Sequence, residues 1–143
     1  MTVDIEVARE VTDELVQAFG RLLPQLSRSA ATLDADTLRA LLAREGNRVL
    51  VARVDGEIRG TLTLVTFPIP TGLRAWIEDV VVDEEARGHG VGAALTREAV
   101  RLARADGART VDLTSRPSRT AANRLYERLG FQVRDSKVYR FTD

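Results

Sequence analysis

The chain has 143 residues, enough for one domain whose apolar core needs neither metal nor disulfide support. It holds no cysteine and one histidine, His89, which excludes disulfides, thiolate nucleophiles and Cys-based zinc sites and argues against any metal. Twenty-one basic residues balance twenty-one acidic ones, so no global field gathers nucleic acid or an anionic membrane surface. The opening Met1-Thr2-Val3-Asp4-Ile5-Glu6 lacks a basic or apolar leader and no later apolar run reaches spanning length, so the reading is cytoplasmic. No repeat or Pro/Gly-rich linker divides the chain, which makes residues 1–143 a single domain.

An extended segment near residues 3–7 leads to Thr12-Asp13-Glu14, where a capping hydroxyl and first-turn carboxylates suit a helix start. Leu15, Phe19, Leu22 and Leu23 continue it as an apolar stripe, and a break is expected from Pro24 to Thr32. Residues 34–45 repeat the helical pattern through Leu38, Leu41 and Leu42 until Gly46. Two β-rich runs, 47–54 and 58–67, flank Asp55-Gly56-Glu57, a hairpin signal that predicts antiparallel pairing. Pro68 to Gly72 turns the chain into a strand over 73–82. Strand then alternates with helix: helix 91–105, strand 109–115, helix 119–129, and terminal strands 131–135 and 138–141, the last two offering an edge for a homodimer. The class is α/β of the α+β type, with antiparallel strands first and a crossover later.

The informative stretch is Val80-Val81-Val82-Asp83-Glu84-Glu85-Ala86-Arg87-Gly88-His89-Gly90-Val91-Gly92, a buried strand, an acidic connection, and glycines that open a helix. Glycines without Cβ let successive N–H groups converge on an anion, and the helix N-terminus adds about half a positive charge. The spacing Gly-x-Gly-x-Gly and the five residues separating it from the strand disfavour a dinucleotide fingerprint, and no Gly-Lys-Ser/Thr follows to make a P-loop.

Arg87 to Gly92 matches the (Arg/Gln)-x-x-Gly-x-(Gly/Ala) signature of the GNAT superfamily of acyl-CoA-dependent N-acyltransferases. Trp76 to Asp83 resembles that family's fourth strand, and Ala121 to Phe131 resembles its last helix with the Leu-Tyr-x-x-x-Gly-Phe ending. The resemblance covers residues 47–141 well and the first 46 only as two helices. It implies a mixed, mostly antiparallel sheet of about six to seven strands, splayed between the fourth and fifth and flanked by about four helices. Acetyl-CoA as co-substrate would lie in the splay, its pyrophosphate on Arg87, Gly88, His89, Gly90, Val91 and Gly92. Where a common family pattern has asparagine, seven residues before the tyrosine, this chain has Arg119; Asn123 matches another variant, and the resemblance leaves open which of the two contacts CoA.

Acyl transfer to an amine needs a neutral nucleophile, a stabilised oxyanion and a proton for the leaving thiolate. A lysine-like amine, with pKa about 10.4, must lose a proton near neutrality. Glu78 is the candidate base by resemblance. Asp79 points to the opposite face if the strand alternates regularly, and a bulge would exchange the two. A backbone N–H among Val80, Val81 and Val82 would meet the oxyanion. Tyr126, one helical turn beyond Asn123, is the candidate acid for a thiolate whose conjugate acid lies near 8.5, against the plainer reading of a packed core tyrosine. The predicted activity is acetyl transfer to a primary amine of a small molecule by direct attack in a ternary complex. Acetylation of a protein N-terminus or lysine, and a non-catalytic acetyl-CoA-binding regulatory module, are the alternatives.

Overall fold

The structure, a computed structural model, describes residues 2–29 and 31–143; Met1, at the start of the opening segment, and Ala30, within the predicted break 24–32, lie outside the described residues. The chain forms two compact units that divide after Leu113.

The first unit opens with strand β1 (Val3–Val7) and helix α1 (Asp13–Leu26). Thr12 caps α1 by accepting from the Leu15 N–H at 3.1 Å, and Leu15, Ala18, Phe19 and Leu22 form its buried face. The break expected at Pro24 does not occur there, because α1 runs to Leu26. Pro24 withholds only its own bond to the Gly20 carbonyl, and the final turn still closes through the Ser27 N–H to the Leu23 carbonyl at 2.9 Å. Helix α2 (Ala35–Ala43) is capped by Asp34, which accepts from the Thr37 N–H at 2.7 Å.

Strands β2 (Asn47–Val54) and β3 (Glu57–Ile69) pair antiparallel around Asp55 and Gly56, both at positive φ, as a two-residue turn that follows the strand twist requires. Strand β4 (Gly72–Val82) pairs antiparallel with β3 up to Ile69↔Gly72, so the loop expected over 68–72 contracts to Pro70 and Thr71. Helix α3 (Val91–Ala105) crosses back to β5, which spans only Thr110–Asp112 of the predicted 109–115 and lies parallel to β4. The sheet order is β1-β2-β3-β4-β5, a mixed and mostly antiparallel arrangement.

Cross-strand pairing assigns the two faces of this sheet. One carries Val49, Val51, Ile58 and Val81 and packs against the apolar sides of α1 and α2. The other receives α3, and at Gly60 the fit is close: a Cβ there would meet Val91 Cγ1 at 3.1 Å and Leu95 Cδ1 at 3.2 Å.

The second unit contains helix α4 (Thr120–Arg128). Residues 131–135 and 138–141 are not strands, so the described residues hold five strands rather than six or seven. Alternating apolar residues form a strand only where a partner takes the backbone bonds and a face takes the side chains. Here Val133, Val138, Tyr139 and Phe141 are 74 to 91 % exposed, and the edge imagined for a homodimer is absent with the strands.

Candidate active site

The pairing of β4 makes an opening on one side and an irregularity on the other. Its parallel contact with β5 covers only Arg74, Ala75 and Trp76, so Ile77 to Val82 have no β5 partner. On the β3 side Thr63 faces Glu78 and Thr61 faces Val81, so Asp79 and Val80 together oppose Leu62. This is a β-bulge, and Asp79 takes its left-handed position at φ +50°. Such an αL residue is uncommon outside glycine and is best tolerated by Asp and Asn.

The bulge begins after Glu78. Arg74, Trp76 and Glu78 alternate regularly along one face, opposite Phe67, Val65 and Thr63, and it is Val81 rather than Val80 that rejoins that face. Glu78 therefore lies on the side of the sheet that α1 and α2 partly cover. Both Glu78 and Asp79 are exposed.

After Val82, Asp83 is the anchor of the connection to α3. Its side chain is 5 % exposed and caps a 3-10 turn (Glu84–Ala86), accepting from the Glu85 N–H at 3.2 Å. Arg59 approaches at 3.2 Å and Arg21 of α1 at 3.4 Å, while Gln25 of α1 accepts from the Glu84 N–H at 2.9 Å. Burial opposes ionisation of Asp83, but the Glu85 N–H, Arg59, Gln25 and Arg21 outweigh it and hold the carboxyl below its ordinary range. Sequence reading missed this network because its partners lie 24 to 62 residues away.

The chain then passes Arg87 and enters the glycine loop. Gly88 and Gly90 sit at φ +84° and +77°, where a side chain would be strained although space is open around both. Gly90 is the N-cap of α3 and offers no side-chain acceptor, and the first turn of α3 carries no acid. Helices α1 and α2 differ on both counts, each having a capping oxygen and a first-turn carboxylate. The N–H groups opening α3 thus remain available to an anion, at the positive end of a 15-residue helix dipole. Val91 is buried and seats the helix, while Arg87 and His89 are exposed. A separate open groove between the β2–β3 turn and the loop is lined by Asp55, Glu57, Arg59, Glu85 and His89; its three carboxylates repel a pyrophosphate.

In the second unit, Arg119 precedes α4 as an N-cap without a side-chain cap bond and is exposed. Asn123 donates its amide to the Arg116 carbonyl at 3.0 Å, which ties down the turn ahead of α4. Tyr126 is buried and meets Phe131 edge to face at 5.9 Å between ring centres. Burial raises its phenol above the ordinary value, against a smaller opposing effect from Arg119. The hydroxyl is therefore protonated at neutral pH.

The model of the acetyltransferase (GNAT) family matches residues 9–131, across the glycine loop and both units. The chain belongs to that family and is an acyl-CoA-dependent transferase. Among solved structures, a transcriptional regulator from Bacillus halodurans C-125 is similar at 28 % identity and TM-score 0.83, with 99 % of this chain and 100 % of that one covered. A putative acetyltransferase from Agrobacterium tumefaciens str. C58 is similar at 26 % identity and TM-score 0.85, covering 98 % and 99 %. An aminoglycoside acetyltransferase from an uncultured soil metagenomic sample shares the fold at 20 % identity and TM-score 0.85, covering 99 % and 95 %. No curated protein matches the chain. Among the described residues no helix is long and apolar enough to cross a membrane.

Proposed function

We propose that the protein transfers the acetyl group of acetyl-CoA to a primary amine of a small molecule, by direct attack in a ternary complex. The observation that carries this reading is the uncapped α3 N-terminus at Gly88 and Gly90, joined through the Asp83 connection to the strand whose β5-facing edge is unpaired beyond Trp76. Acetyl-CoA supplies the activated acyl group. Gly88, His89, Gly90, Val91 and Gly92 offer backbone donors to its pyrophosphate and Arg87 adds an exposed positive charge; in the second unit, Arg119 or Asn123 is the candidate CoA contact. Asn123 already spends its amide donor on Arg116, which favours Arg119 for an added charge contact.

Glu78 accepts the amine proton, directly or through water, on the face where Trp76 and Arg74 flank it. Backbone N–H groups among Val80, Val81 and Val82 stabilise charge on the acyl oxygen, on the stretch of β4 that β5 leaves open. Tyr126 keeps its proton at rest and gives it to the leaving sulfur.

A second reading, a non-catalytic acetyl-CoA-binding regulator, draws support from the likeness to the Bacillus halodurans transcriptional regulator. A panel of amines tested for thiol release from acetyl-CoA separates the two. Release that depends on the amine supports transfer, and CoA binding with no release for any small amine, peptide N-terminus or lysine peptide supports the regulator.

A further inference from the structure

Three successive cross-strand pairs occupy the α1/α2 face of the sheet beside the opening: Thr63↔Glu78, Val65↔Trp76 and Phe67↔Arg74. Further along the same face, Val49, Val51 and Val81 are sealed under the helices, yet Val65, Phe67 and Trp76 remain half-buried and Glu78 exposed. An apolar, partly aromatic floor thus lies between a carboxylate and a guanidinium. Two rows of about 6.8 Å each separate them along the strand.

Arg74 is also set apart by its partners. Arg48, Arg53 and Arg59, the other half-buried arginines of the same unit, each pair with a carboxylate, whereas the remaining arginines without one are exposed. Arg74 is half-buried, and among the described residues it reaches only hydroxyls, Thr71 Oγ1 at 3.2 Å and Thr110 Oγ1 at 3.5 Å. Among the described residues its buried Nε has no partner. A guanidinium removed from water ordinarily meets an anion in its planar fork, and among the described residues no carboxylate comes within ion-pair distance of Arg74, Asp112 of β5 lying beside Trp76 on the same face.

Resting on the reading that Glu78 faces the amine, we infer that the acceptor is an amine that also bears a carboxylate. Arg74 binds that carboxylate, Trp76 and Phe67 support the carbon chain between the charges, and the amine is left at Glu78. Arg74 is then the residue that sets specificity, and polycationic amines are poor acceptors because they bring a like charge to it.

The test uses ω-amino carboxylates of three to six carbons and their matching ω-amino carboxamides, at saturating acetyl-CoA, with kcat and KM measured separately. For at least one chain length the carboxylate should have a KM about tenfold or more below that of its amide. Arg74→Gln should bring the ratio to about one and Arg74→Lys should keep part of it. A brace that merely holds the β3–β4 turn would shift both substrates alike and leave the ratio intact. Calorimetric binding of the same pairs to the CoA-saturated protein reads the ratio without turnover, so a protein that acetylates none of them still decides the matter. Equal affinity for carboxylate and amide at every length in the unsubstituted protein, or a ratio that survives Arg74→Gln, overturns the inference. Absent turnover with charge discrimination intact overturns the proposed transfer instead.

Discussion

Asp83→Asn removes one charge from the joint between β4 and the glycine loop while keeping the side chain's shape. Breaking a wholly buried ion pair on one side costs about 3–5 kcal/mol. Arg59 and Arg21 are 26 % and 43 % exposed at their side chains and can recover water, which lowers the expectation to about 2–3 kcal/mol. With a urea dependence of about 2 kcal/mol per molar, the unfolding midpoint should fall by about 1 M at pH 7. The carboxyl is depressed in the folded state, so its contribution is complete above the ordinary value of 3.8 and disappears as pH falls through the folded value. The gap between the two proteins should therefore be full at pH 7, begin to close below 3.8 and vanish in stronger acid. Urea melts at descending pH measure this directly. A midpoint unchanged at pH 7, or a gap that stays constant into acid, would refute the assigned role of the charge. Because this joint carries the loop, CoA affinity should fall with stability at pH 7.

Gly90→Val places a β-branched residue at φ +77°, costs about 1–3 kcal/mol, and should abolish calorimetric CoA binding, whereas Arg87→Ala should only weaken it. Glu78→Gln should lower turnover most near neutral pH, recover as pH rises and the amine loses its proton unaided, and leave acetyl-CoA affinity nearly intact. Tyr126→Phe should reduce turnover by about 100-fold with folding preserved, and an acyl donor with a more acidic thiol should regain part of the loss; equal losses with both donors would exclude a general acid. Because burial raises the phenol, the wild-type rate limb that reports it should lie above pH 10.

Elements whose signals are local were legible in the sequence. The Asp-Gly turn marked the β2–β3 hairpin, and the glycines before Val91 marked the start of α3, because both depend on backbone freedom at single positions. The terminal segments were misjudged for the opposite reason. Their alternation matches a strand, but pairing is decided by a neighbour that the local pattern does not contain. The bulge at Asp79 left no glycine to announce it, and Pro24 suggested an end that the surrounding turn overrode. At the candidate site, the glycine loop and the strand carrying Glu78 were visible as motifs. The Asp83 network and an Arg74 that meets no carboxylate among the described residues emerge only when distant segments meet.

Simultaneous measurement of free thiol and acetylated amine, with acetyl-CoA and an amino carboxylate as substrates, tests the central claim most directly. One thiol should appear for each acetylated amine, with both products suppressed by Gly90→Val and by Glu78→Gln at neutral pH. Acetyl-CoA that binds at the glycine loop yet yields neither product with any amine would contradict the assignment of an amine acetyltransferase.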